Sequence, residues 1–186
     1  MIIAAYAGTG KTTAAKLYPK TVVDFVCMPY KYQLEQNGDT DESCKANPGN
    51  VMRAEWPDNY VSAIKSATTE STILLVPTDM NVLRLLKLES IPYFLCYPER
   101  SAKDIYHDRF INRGNTEDFI DIFIGEWDRF LSALERDEYG RHIVLRSGQF
   151  LADVLNPITL ADRIIQKEEV DVESDQDESA DVTLNQ

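Results

Sequence analysis

Residues 2–12, IIAAYAGTGKT, constrain this chain more than any other stretch. The apolar run Ile2 to Tyr6 reads as a buried strand. The GTGKTT after it reads as a tight turn leading into a helix over Lys11 to Leu17. Ala5 to Thr12 has the spacing of a Walker A phosphate loop, with Ala5 where the first glycine usually stands. Each residue type has a physical reason to be there. Gly8 and Gly10 let backbone approach phosphate oxygens and tolerate positive φ. The backbone of Ala7, Gly8, Thr9, Gly10, Lys11, Thr12 and Thr13 is expected to cradle an anion at the start of the helix. Lys11 is expected to reach the β- and γ-phosphates, and the Thr12 hydroxyl to ligate Mg2+. An ordinary glycine-rich turn before a helix is the competing reading. The strand in front and the complete GKTT ending weigh against it.

The rest of the chain alternates strand-like and helix-like segments, which predicts an α/β fold: a five-stranded parallel sheet flanked by helices. Thr21 to Phe25 reads as a short strand carrying Asp24. STILLV, Ser71 to Val76, suits a strand buried on both faces. IPYFLCY, Ile91 to Tyr97, and Arg141 to Leu145 complete the five. Helices are expected from Pro57, with Tyr60, Ile64 and Ala67 on one face, and from Thr78 or Asp79 to Leu88. Another runs from Ser101 to a stop at Gly114, and a short one from Phe150 to Leu155. A long amphipathic helix is expected from Thr116 to Glu138, with Phe119, Ile122, Phe123, Trp127, Phe130 and Leu134 as its core stripe.

At 186 residues the length suits one domain, taken as residues 1–167, with a polar insert at about 33–50 and a tail at 168–186. The net charge is −12, and eight carboxylates between Glu168 and Asp181 leave about −4 for everything else. That composition marks an acidic, disordered tail. An acidic chain without a basic stripe is a poor nucleic-acid binder. No apolar run approaches membrane-spanning length, so no membrane partner is expected. Cys27, Cys44 and Cys96 show no CxxC pairing, and His107 and His142 are far apart, which argues against structural zinc. A reducing cytoplasm is the expected setting. The sequence does not reveal an oligomeric state.

AYAGTGKTT, VVDFVCMPYKY, EWPDNYVSAI, IPYFLCYPERS and DRFINRGNTEDFI together resemble the P-loop nucleoside monophosphate kinases. More narrowly, they resemble the nucleotide-kinase-like proteins of bacteria and their phages. The likeness covers about Met1 to Trp127, and only its first element is a specific motif. It implies ATP and Mg2+ as donor complex and small-molecule nucleotides as partners. It also implies a lid helix at about 100–114 whose arginines meet the moving phosphoryl group. Arg100, Arg109 and Arg113 are the candidates. Arg109 and Arg113 stand four apart on one helix face, just past the end of a strand where open α/β sheets bind ligands. Pairing of these arginines with surface acids is the bland alternative. Asp24 is a candidate acceptor base or partner to metal-bound water, with Asp79 as its rival for the metal. Tyr30, Lys31, Trp56 and Tyr60 lie where the resemblance puts the acceptor, though Trp56 and Tyr60 equally suit helix anchoring. The reading that results is ATP-dependent phosphoryl transfer to a nucleoside or deoxynucleoside monophosphate. Two alternatives stand beside it: a kinase of a small hydroxyl compound, and a slowly hydrolysing regulatory module.

Overall fold

The first strand, β1 (Ile2–Ala5), is buried along its whole length, and its position sets the architecture. In the computed structural model it lies at the centre of a five-stranded sheet of order β2-β3-β1-β4-β5, every pair parallel. The structure describes residues 1–33, 51–69 and 71–155. Most of the polar insert, with Cys44, and the whole acidic tail lie outside the described residues. Residues 1–151 form one compact unit; the second unit, 152–186, is described only for the end of a helical turn at 151–155.

In chain order β1 leads to α1 (Lys11–Leu17), β2 (Val22–Asp24), α2 (Met28–Lys31) and α3 (Asp58–Ala67). Then come β3 (Ile73–Pro77), α4 (Met80–Leu88), β4 (Phe94–Pro98), a 3-10 turn (Arg100–Ala102) and α5 (Lys103–Asn112). The first unit continues through α6 (Glu117–Ile120), a π turn (Asp121–Gly125), α7 (Trp127–Glu135) and β5 (Arg141–Leu145). Ile3 sits in register with Leu75 on one side and Phe94 on the other. The pleat then sends alternate residues to opposite faces. Ile2, Ala4, Leu74, Val76, Leu95 and Tyr97 share one core with Tyr60, Val61 and Ile64 of α3, Leu83 and Leu86 of α4, and Trp127, Leu131 and Leu134 of α7. Ile3, Ala5, Leu75 and Cys96, on the other face, are equally shut off from solvent. Parallel strands buried on both sides explain why STILLV is continuous rather than alternating.

One expected element differs. The long helix from Thr116 to Glu138 is broken into α6, the π turn and α7. The Tyr6 hydroxyl donates to the Phe123 carbonyl (3.3 Å), drawing on a backbone acceptor that a regular α-helix would use for itself. The wider turn still buries Trp127 and keeps Phe119, Ile120, Phe123 and Ile124 packed on the core.

At the edge opposite the glycine loop, Asp137 is a buried carboxylate with every oxygen engaged. Lys87 pairs with Oδ2 at 2.7 Å, and the Tyr93 hydroxyl donates to the same oxygen at 2.8 Å. The amides of Tyr139 and Gly140 donate to Oδ1, each at 3.0 Å. Burial opposes the charge, but these four donors outweigh it and hold the carboxyl below its ordinary range. Asp137→Ala would leave the buried Tyr93 hydroxyl and the Gly140 amide without their acceptor, a loss of about 1–3 kcal/mol. Because the folded carboxyl titrates lower than the unfolded one (about 3.9), its contribution is complete above that value and fades as pH falls through the folded one. Urea unfolding at pH 7 and pH 3 should therefore show the gap between wild type and Asp137→Ala narrowing in acid.

Candidate functional site

β1 and β4 are neighbours whose outgoing connections run to opposite sides of the sheet, β1 toward β2 and β4 toward β5. In open α/β sheets that divergence opens a crevice at the carboxyl ends of the strands. The glycine loop, residues 6–10, occupies it.

Gly8 and Gly10 both take left-handed backbone, φ 77° and 91°, as the loop reading required. Thr9 is wholly buried and turned inward; its hydroxyl donates to the Tyr6 carbonyl at 2.7 Å, so its side chain shapes the loop. The amides of Ala7, Gly8 and Gly10 make no backbone hydrogen bond among the described residues. Lys11 caps the loop with Nζ donating to the carbonyls of Ala5 (2.7 Å) and Tyr6 (3.1 Å). Thr12 donates its hydroxyl to Asp24 Oδ2 at 2.6 Å, which ties the start of α1 to the end of β2. Thr13 is exposed. Of the two rival acids, Asp24 is therefore the one joined to the loop. Asp79 accepts the Asn81 amide (3.0 Å) as the cap of α4 and pairs with Lys31 at 2.8 Å.

The arginines separate. Arg109 reaches the loop: Nη1 donates to the Gly8 carbonyl at 3.4 Å and Nη2 to the Gln149 carbonyl at 3.2 Å. Its guanidinium lies 4.7 Å from the Tyr106 ring centre and 3.9 Å from that of Phe150. Arg113 caps the end of α5, exposed, and its side chain makes no hydrogen bond or ion pair among the described residues. Arg100 is turned away onto α7. It grips both oxygens of Glu135 (3.1 and 2.6 Å), Asp128 (3.1 Å) and the Ser132 hydroxyl (2.8 Å). Those acids lie 28 and 35 residues downstream, so the sequence did not single them out as partners. The supposed lid helix is itself docked, with Tyr106 and Phe110 of α5 buried against the glycine loop.

Around the expected acceptor region, Tyr60 is fully buried, stacked on Phe25 and Trp56, with its hydroxyl donated to the Phe25 carbonyl. That is helix anchoring, the plainer of its two readings. Trp56 has one neighbour in Tyr60 and another in Lys31, whose Nζ stands 5.1 Å from its ring centre. Tyr30 packs half-buried against Phe25 and Tyr60. Burial disfavours the Lys31 ammonium, but the Asp79 bond outweighs it and leaves the group raised above its ordinary value. Cys27 beside them is held as a thiol, since burial pushes it up to about 11.

Three contributors escaped the sequence reading: Gln149 and Phe150 after β5, and Tyr106. The chain after β5 folds back to the loop through the Leu151 amide, which donates to the Thr9 carbonyl at 2.9 Å. Gly148, at φ 86°, was a visible signal for a turn there, but not for its destination.

No protein-family model matches the chain, and no curated protein matches it.

The loop depends on a close approach that can be measured. A Cβ on Gly8 would stand 2.8 Å from the Phe110 ring and 3.1 Å from that of Tyr106, while one on Gly114, also left-handed at φ 72°, would meet nothing within 4 Å. Gly114→Ala should cost only backbone strain, about 1–2 kcal/mol. Gly8→Ala should cost that plus about 1–3 kcal/mol of overpacking against α5. Equal losses in urea titrations of the two variants would mean that α5 does not bear on the loop.

Proposed function

We propose that this chain is an ATP-dependent phosphotransferase built on a P-loop fold of the nucleoside monophosphate kinase kind, transferring to a small acceptor. One convergence carries the reading. A loop with two left-handed glycines brings Lys11, a Thr12–Asp24 pair and an arginine from a distant helix to the strand divergence between β1 and β4.

The residues present fit a nucleoside triphosphate with Mg2+. Loop amides without backbone partners, an ammonium and a guanidinium suit phosphate oxygens. A hydroxyl beside one carboxylate suits Mg2+, which takes few protein ligands and keeps water and phosphate for the rest. When bound, ATP with Mg2+ supplies the transferable phosphoryl group and much of the positive charge around it. This chain supplies positioning and further charge. Lys11 Nζ, on the carbonyls of Ala5 and Tyr6, stands at the loop where anionic oxygens would bind. Asp24 holds the Thr12 hydroxyl in place from β2. Arg109, reaching the Gly8 carbonyl from α5, brings a second cation to the loop.

A nucleoside or deoxynucleoside monophosphate is the leading acceptor, by the resemblance. A small hydroxyl compound gains ground from two bonds: Lys31 is committed to Asp79, and Arg53 Nε is shared by the Pro29 and Tyr32 carbonyls (3.1 and 3.0 Å). The first cancels a positive charge near an acceptor phosphate; the second engages Arg53 Nε and leaves its charge in place.

ADP release with ATP and Mg2+ across monophosphates and hydroxyl compounds, with and without acceptor, tests the reading. Acceptor-dependent ADP is expected. Acceptor-independent, slow release would instead fit the regulatory module. Lys11→Ala should lower turnover on the order of 10²-fold or more. Thr12→Ala should lose activity that excess Mg2+ partly restores; normal turnover in Lys11→Ala would sink the assignment of this loop.

A further inference from the structure

We propose that Arg109 is a latch across the mouth of the glycine-loop cleft, which an incoming polyphosphate must draw open and then holds. The proposal rests on the phosphate-site reading above for its ligand, but the latch itself is a property of the ligand-free chain.

The two segments that Arg109 joins are each held by contacts of their own. On one side, Tyr106 and Phe110 of α5 are buried against Gly8, which sets where the Arg109 backbone lies. On the other, the turn after β5 is tied at each step. Glu99 Oε1 accepts the Ser147 amide and hydroxyl (2.6 and 2.7 Å), Gln149 Oε1 accepts the Arg146 amide (2.8 Å), and the Leu151 amide is bonded to Thr9. The Arg109 side chain spans the gap, donating to Gly8 on one wall and Gln149 on the other, between the rings of Tyr106 and Phe150. Phe150 also stands over the start of α1, its ring 3.1 Å from where a Gly10 Cβ would be.

The strength of the latch follows from its acceptors. Both are neutral carbonyls, and the contacts are long, so each is worth little once broken. A phosphate oxygen makes a charge-assisted bond about twice as strong to the same guanidinium. A triphosphate therefore exchanges two weak contacts for stronger ones without moving either wall, and that differential affinity is what shifts the latch. Entry waits on the arginine, and departure waits on it longer.

Stopped-flow binding of a fluorescent ATP analogue with Mg2+ reads both steps. Arg109→Ala should raise the association rate constant by roughly 3–10-fold, the worth of about one net hydrogen bond. It should raise the dissociation rate further, so that affinity falls. Phe150→Ala, which removes one side of the stack, should raise association with a smaller effect on dissociation. Hydrogen exchange of the ligand-free protein is the independent arm: the hydrogen-bonded amides of Thr9 in the loop and of Ser147, Gln149 and Leu151 in the turn should exchange faster in Arg109→Ala than in wild type. Unchanged or slower association in both variants, or unchanged exchange in the two segments, overturns the latch and leaves Arg109 as a phosphate contact alone. If wild type binds no nucleotide, the phosphate-site reading fails, and the exchange arm still decides the latch.

Discussion

The side chain of Tyr6 is the contact on which the site is built. It belongs to the glycine loop, yet its ring is buried among Tyr106, Phe123, Trp127 and Phe130, all four edge-on or tilted at 5.7 to 6.5 Å. Such pairs add to the area they bury and favour one relative orientation. The loop is thereby keyed to α5, the π turn and α7 together, and its carbonyl still serves Thr9 and Lys11. A flexible glycine-rich segment gains a fixed shape from the one large residue inside it. The geometry of Arg109 then depends on the same cluster, because Tyr106 belongs to both.

Local charge is arranged so that no acid near the loop stands alone. Asp24 is on Thr12, and Asp79 divides itself between a helix cap and Lys31. These bonds hold the end of β2 to α1, and the residues after β3 to α4 and α2.

What could be read from the sequence follows from how local the cause is. β1, the left-handed glycines and the Asp79 cap are written in neighbouring residues, and each stands where expected. The inner strands β1, β3 and β4 were readable because burial on both faces leaves an unbroken apolar run. The break before α7 was not readable, since it involves a hydroxyl 117 residues away. Arg100 carried the same signal as Arg109, a cation past a strand end. What separates them is whether acids on α7 or carbonyls on the loop come within reach, and only the packing of α5 and α7 decides that. Tyr60 was open between ligand contact and anchoring because an aromatic at helical spacing serves either; its complete burial selects anchoring.

The central place of β1 has a consequence in time. Its partners, β3 and β4, lie some 70 and 90 residues further along, in register with Ile3 at Leu75 and Phe94. The rings that fix Tyr6 come later still, up to Phe130. Loop closure over such separations is slow, and domains emerge from synthesis amino terminus first. β1 is thus made well before the strands and rings that complete its surroundings. Ile2 to Tyr6, five apolar residues without a charge, must stay soluble through that interval without a sheet to enter. Lys11, Lys16 and Lys20, spaced through the residues that follow, put positive charge beside that run while it waits.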